Sequence, residues 1–118
     1  MTAKLLLSFC LAFSLYGQCS APTSKLGTSF TCKAQHNRVI DGIKAYLADR
    51  VKGGMILAEK RKLTASNKTE TVTVWLLLET EGETKLRVEV RPVDSAPLLG
   101  ESADTARALR LFLTRALQ

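Results

Sequence analysis

The chain has 118 residues, of which 17 are Lys or Arg and 11 are Asp or Glu, so its formal net charge is +6. This length suffices for one small domain with a modest core, which excludes a multidomain enzyme. One histidine and three cysteines leave no ligand spacing typical of a zinc site. The basic excess favours anionic partners, among them lipid headgroups, acidic polysaccharides and acidic proteins.

Residues 1–19 have the layout of a secretory signal peptide. Lys4 supplies the positive start, residues 5–15 are an apolar run, and small residues such as Gly17 follow. The run is far shorter than the about 20 residues that a membrane-spanning helix needs. We therefore expect a cleaved leader, a mature chain without a transmembrane segment, and a secreted or periplasmic location. Without Lys4, sixteen basic side chains face eleven acidic ones, a net charge of +5.

The cleavage position decides what the cysteines can do. Cleavage after Gly17 would retain Cys19, which could then form a disulfide with Cys32 in an oxidising compartment. Cleavage after Cys19 would leave Cys32 as a free thiol or as a route to a covalent dimer. The sequence leaves both outcomes open.

The first half of the mature chain contains an arm and a helix. Residues 20–32 are rich in Ser, Thr, Pro and Gly and have no periodicity, which predicts an extended arm. Apolar residues then recur at helical spacing from Val39 to Val51, which predicts a helix over about 34–52 that Gly53 ends. Gly42 inside this helix is expected to allow a close approach to the sheet.

Three strands are expected next, over about 55–65, 70–80 and 84–92, with a tight turn at Glu81-Gly82. Apolar residues alternate along the last two strands, which predicts one buried face for this hairpin. Trp75 and Arg87 fall on the other face. A C-terminal helix over 102–117 has an apolar arc that includes Leu109 and Leu113, opposite an arginine-rich arc.

These elements predict an α+β fold. We expect a three-stranded antiparallel sheet packed by an N-terminal and a C-terminal helix, in the order α-β-β-β-α, forming a single domain over residues 33–118. Both helices are expected on one face, so that the face bearing Trp75 stays at least partly open.

Trp75 is the first candidate for binding. An aromatic side chain flanked by cations is typical of a binding hot spot, and the cations expected around Trp75 are Lys60, Lys62, Arg87 and Arg91. The alternative is that the C-terminal helix covers Trp75 and makes it part of the core.

The second candidate is the arginine-rich arc of the C-terminal helix, formed by Arg107, Arg110 and Arg115. It could dock on an anionic surface, either a membrane or an acidic polysaccharide. The alternative is ordinary amphipathic packing of this helix on the sheet. One exposed aromatic and a moderate charge do not favour a nucleic-acid partner.

Catalytic residues are not expected. Cys32 and His36 stand four positions apart, which is a spacing that a thiol nucleophile and its base could use, but no third residue is placed to orient them. We therefore predict no enzyme activity, no cofactor and no metal.

Two families resemble this chain in the order of their elements. The helix followed by a twisted antiparallel hairpin resembles cystatin-type domains, although the turn at residues 65–67 lacks their Gln-x-Val-x-Gly loop and no Pro-Trp pair follows. Protease inhibition is therefore not implied. The helix, three-strand, helix order is also similar to the curli secretion accessory proteins, which are small periplasmic assembly factors.

The sequence thus predicts a small secreted or periplasmic, non-enzymatic binding module that acts on another protein as an escort, assembly factor or inhibitor. The alternative is a peripheral binder of anionic surfaces through the C-terminal helix.

Overall fold

The computed structural model describes residues 19–20, 26–80 and 82–118, and the side chains of all of these except 78 and 79. The predicted signal peptide lies outside the described residues except for its last residue, Cys19, and Glu81 of the predicted turn also lies outside them. The strands are β1 (Ser29–Cys32), β2 (Met55–Glu59), β3 (Lys62–Ser66), β4 (Glu70–Thr80) and β5 (Glu83–Pro92), and the helices are α1 (His36–Arg50) and α2 (Leu99–Ala116).

The strands form one antiparallel sheet in the order β1-β5-β4-β3-β2. Both helices pack on the same face of this sheet, which we call the inner face, and the opposite face is called the outer face. Alternate side chains of β4 and β5 enter the inner face and are at most 2 % exposed; they are Val72, Val74, Leu76, Leu86, Val88 and Val90. The helices cover them with Val39, Ile43, Leu47, Ala106, Leu109 and Leu113. The structure is therefore α+β, with one core between the sheet and two helices.

The predicted three-stranded sheet is wrong, because the sheet has five strands. The segment 55–65, expected to be one strand, is a hairpin in which β2 and β3 pair antiparallel and Glu59 lies opposite Lys62. Residues 60–61 are therefore a two-residue turn. Such turns favour Asn-Gly or Asp-Gly, so a Lys-Arg turn gives no signal in the sequence.

The fifth strand comes from the segment predicted as an extended arm. Ser29–Cys32 pair antiparallel with β5, and Phe30 of this strand is fully buried. The composition of residues 20–32 is typical of a loop, and the partner strand is distant in the chain, so periodicity could not reveal the pairing. The order of elements is β-α-β-β-β-β-α, so the order on which the likeness to the curli accessory proteins rests is not found.

A disulfide joins Cys19 to Cys32. Both side chains are buried, and the Ser20 N–H donates a hydrogen bond of 2.8 Å to the Thr31 carbonyl. Residues 19–20 therefore lie along the edge of β1 that faces away from β5. Cys32 accordingly has no free thiol in this structure.

Gly42 lets α1 approach α2 closely, and not the sheet as the sequence predicted. A Cβ atom at Gly42 would lie 2.5 Å from Leu113 Cδ2, and Leu113 is fully buried. Nearby, the rings of Tyr46 and Phe112 are 5.6 Å apart between centroids. The two helices therefore meet directly above the sheet. In the described part of the chain, neither helix combines the length and hydropathy needed to cross a membrane.

The edge of β5 that extends beyond β1 is closed by hydrogen bonds. The Val88 N–H donates to the Thr28 carbonyl at 2.9 Å, and the Leu98 N–H donates to the Val90 carbonyl at 2.9 Å. The Val90 N–H donates to Ser102 Oγ at 2.8 Å, and Ser102 is only 2 % exposed. Buried backbone groups need such partners. This edge of the sheet is therefore satisfied from within the chain.

Ser102→Ala is expected to lower the free energy of unfolding by about 1–3 kcal/mol, because the buried Val90 N–H would lose its acceptor. Thr114→Ala is the matched control. Both hydroxyls donate to the carbonyl four residues back, to Leu98 at 2.6 Å and to Arg110 at 2.8 Å, but no hydrogen bond to the Thr114 hydroxyl is found in the described chain. Thr114→Ala is expected to cost about 0.5 kcal/mol or less. Denaturant unfolding measures the free energy of unfolding of both variants. Equal losses would contradict the role of Ser102 as the acceptor for the Val90 N–H at this edge.

Candidate functional site

The outer face carries a row of three side chains that lie opposite one another on adjacent strands. Trp75 of β4 faces Lys62 of β3 on one side and Arg87 of β5 on the other. Opposite residues in an antiparallel pair have Cβ atoms about 5 Å apart. The Arg87 guanidinium carbon lies 4.5 Å from the centroid of the Trp75 ring, in a cation–π contact. We call these three residues the Trp75 row.

Trp75 itself is partly exposed. Neither helix lies on the outer face, so the arrangement in which the C-terminal helix covers Trp75 is not found. The ring is covered in part by Arg87, which is exposed. The row therefore presents one aromatic side chain between two cations, with no helix above it.

Two further basic residues predicted for this surface lie at its margins. Lys60 lies in the exposed turn between β2 and β3. Arg91 lies four residues along β5 from Arg87, which places it about 13 Å away along the strand. Neither belongs to the Trp75 row, although both lie beside it.

Acidic neighbours accompany two of the cations on this surface. Lys62 Nζ lies 3.7 Å from Glu59 Oε1, and Arg91 Nη2 lies 3.8 Å from Glu89 Oε1. Ion pairs between exposed groups are weak and are screened by salt. A partner's carboxylate could therefore displace either acidic neighbour. Arg87 contacts the Trp75 ring, and among the described residues it forms no ion pair.

Strand β2 is a feature of this surface that the sequence did not indicate. All five residues of β2 are exposed, and Met55 and Leu57 are 81 % and 60 % exposed. Both lie on the outer face, opposite Ser66 and Thr64 of β3. In the sequence, residues 55–58 form a continuous apolar run, with glycines before it and Lys60-Arg61-Lys62 shortly after it. Such a run is also typical of a strand that is covered on both faces, so it does not predict exposure.

The three arginines of the arginine-rich arc of α2 differ in how far they are exposed to solvent. Arg107 is exposed and its Nη1 lies 3.6 Å from Asp104 Oδ1. Arg110 is half-buried, and its Nε atom is fully buried. Arg115 and Leu111 are exposed. This arc of α2 therefore offers fewer available cations than the sequence suggested.

The Cys32–His36 pair does not form a nucleophile and base in this structure, because the Cys32 sulfur is bonded to Cys19. Among the described residues, no group of three or more His, Cys, Asp or Glu side chains could hold a metal ion.

A groove of about 330 Å³ lies between the helices, lined by Tyr46, Arg50, Glu101, Asp104, Thr105 and Ala108. Burial raises the pKa of the Tyr46 phenol. Arg50 forms an ion pair with Glu70, and this hydrogen bond raises the pKa of Arg50. The ion pair between Arg50 and Glu70 therefore links the end of α1 to the start of β4.

No protein-family model matches this chain, and no curated protein matches it.

The fluorescence of Trp75, the only tryptophan in the chain, reports directly on the outer face. We expect iodide to quench this fluorescence more strongly than caesium, because Lys62 and Arg87 attract the anion and repel the cation. Neutral acrylamide should also quench it in the folded protein. Stern–Volmer titrations at constant ionic strength measure all three.

The control is the Lys62→Gln/Arg87→Gln variant, in which the ratio of iodide to caesium quenching should fall towards the ratio measured for free tryptophan amide. A folded wild-type chain whose fluorescence resists all three quenchers would contradict the open outer face.

Proposed function

We propose that this chain is a small secreted or periplasmic, non-enzymatic binding module that holds, escorts or blocks another protein. The observation that carries the proposal is the Trp75 row on a sheet face that neither helix covers. Tryptophan and arginine are enriched among the residues that contribute most to protein–protein binding. The Arg87 guanidinium lies 4.5 Å from the Trp75 ring, so the outer face presents an aromatic anchor with a positive charge beside it.

The shape of the outer face favours a macromolecular partner. Small-molecule sites are concave and bury most of their ligand, whereas the Trp75 row lies on the open side of a sheet. Threonines of β3 and β4 flank the row, including Thr64 and Thr73, which lie opposite each other. A face of this kind, with an aromatic centre and a polar margin, matches the general composition of protein interfaces.

Charge supports an acidic partner. The whole chain carries a formal charge of +6, and the predicted mature chain carries +5. Lys60, Lys62, Arg87 and Arg91 are all on or beside the outer face. Complementary charge speeds association and selects partners more than it adds affinity.

The extracellular part of the proposal is supported by the disulfide between Cys19 and Cys32. Disulfides persist in oxidising compartments and are rare where thiols are kept reduced. A leader cleaved after Gly17, which is one of the positions that the sequence allows, would deliver the chain to such a compartment and retain Cys19.

We rank binding of an anionic membrane or polysaccharide through α2 below binding of a protein. Arg107 is already close to Asp104, and part of the Arg110 guanidinium is buried. Three arginines of which one is half-buried provide little charge for holding an anionic surface.

Trp75→Ala is expected to reduce capture of the partner by about tenfold or more, because truncation of a central aromatic anchor removes a hot spot. The immobilised full chain would be exposed to the medium or periplasmic extract of its source, and the captured proteins quantified by mass spectrometry. Leu111→Ala is the matched control, since Leu111 is an apolar side chain of α2 that is 51 % exposed. Its captured proteins should match those of the wild type.

Circular dichroism and denaturant unfolding must show that both variants fold. A folded Trp75→Ala chain that captures the same proteins in the same amounts would refute the proposal. Loss of folding in Trp75→Ala would instead show that Trp75 belongs to the core, and would also refute it.

A further inference from the structure

The two edges of the sheet differ in whether other segments of the chain form hydrogen bonds with them. Residues 19–20 lie beside β1, and Thr28, Leu98 and Ser102 close the remainder of β5. The opposite edge is β2, which pairs only with β3. Within residues 19–20, 26–80 and 82–118, no backbone group bonds to the free side of β2.

β2 carries exposed apolar side chains, which the edge strands of natural proteins usually avoid. Proteins usually protect an open edge with charge, proline or a bulge within the strand. Residues 55–58 read Met-Ile-Leu-Ala and contain none of these devices. Met55, Leu57 and also Ile56, which is 39 % exposed, leave apolar surface on both sides of the strand. Exposed apolar surface of this kind marks a site of interaction.

The charges at the two ends of β2 limit what can occupy this edge. Lys52 precedes the strand, and Lys60, Arg61 and Lys62 follow it. Within β2 the one acidic residue is Glu59, and its carboxylate lies 3.7 Å from Lys62 Nζ. The edge is therefore an apolar strand between two basic ends.

A second copy of this chain fits the edge poorly. Two β2 strands paired antiparallel about Leu57 would bring the Lys60-Arg61 turn of one copy next to the end of the other copy that carries Lys52, at both ends of the interface. Like charges placed opposite one another destabilise a strand pair. A partner segment with acidic residues at both ends has the complementary charge.

We propose that β2 accepts an extended segment of the partner protein, apolar in its centre and acidic at both ends, as a sixth strand of the sheet. The main-chain hydrogen bonds of β-augmentation would provide affinity, and the apolar side chains with the basic ends would provide specificity. This inference rests on the proposed function, and it names the chemistry of the partner. The added strand would continue the sheet beyond β2, and its outward-pointing side chains would lie beside Met55 and Leu57 on the outer face, which also carries the Trp75 row.

The test is selection from a displayed library of random nonapeptides on the full, disulfide-bonded chain. The enriched peptides are expected to have apolar centres and acidic ends and to lack central prolines. Their affinity should fall by about tenfold or more in the Met55→Ser/Leu57→Ser variant. It should also fall in the Lys60→Gln/Arg61→Gln variant and with rising salt.

Leu111→Ser is the matched control, because Leu111 is exposed to a similar extent as Leu57 and lies on α2. It should leave the affinity unchanged. Failure of the proposed function is read from protein capture by Trp75→Ala, and failure of this inference is read from peptide binding by Met55→Ser/Leu57→Ser.

Three results would overturn the inference. The first is a selection on the wild-type chain that enriches no peptide relative to the same selection on the Met55→Ser/Leu57→Ser variant. The second is enrichment of peptides with basic ends or with central prolines. The third is a wild-type dimer in sedimentation experiments that the Met55→Ser/Leu57→Ser variant abolishes, since a second copy of the chain would then occupy the edge.

Discussion

The structure depends on burial of one face of the long hairpin formed by β4 and β5. Alternate apolar residues from Val72 to Val90 enter a single core and are almost fully removed from water. A sheet face of this kind must be covered, and the two helices supply the cover from one side only. Gly42 lets the helices meet closely enough to complete it. The same alternation sends Trp75 and Arg87 to the outer face, so the proposed binding surface follows from the arrangement of the core.

The edges of the sheet follow from the order in which the strands are connected. β1 joins β5, so the first and last strands close one edge, with Ser102 and the Cys19–Cys32 disulfide reinforcing it. The β2–β3 hairpin extends the sheet in the other direction and ends in β2, whose free side has no partner among the described residues. Since β2 and the Trp75 row share the outer face, a partner could add a strand at the edge and contact the tryptophan with an adjoining part of its surface. Both proposals can then describe one interface.

The sequence predicted α1, α2, β4 and β5 closely, because their patterns are local: a period of 3.6 residues for helices and of two for strands. The alternation also placed Trp75 and Arg87 on one face, but their direct opposition was not predicted, because it depends on a register shift between Leu76 and Leu78. The β2–β3 turn was missed because Lys60-Arg61 is not a typical turn sequence. β1 was missed because its partner is distant, and sheet pairing between distant segments leaves no periodic signal. Exposure of Met55 and Leu57 could not be predicted for the same reason, since it depends on where β2 lies in the sheet.

The central claim is that this sheet has one closed edge and one open edge beside an open face. Amide hydrogen exchange, resolved residue by residue on the full chain, tests it most directly. The account predicts slow exchange for Val88 and Val90, and fast exchange for those alternate amides of β2 that point away from β3. Protection of every β2 amide to the level of Val90 would contradict the open edge, because something would then cover β2.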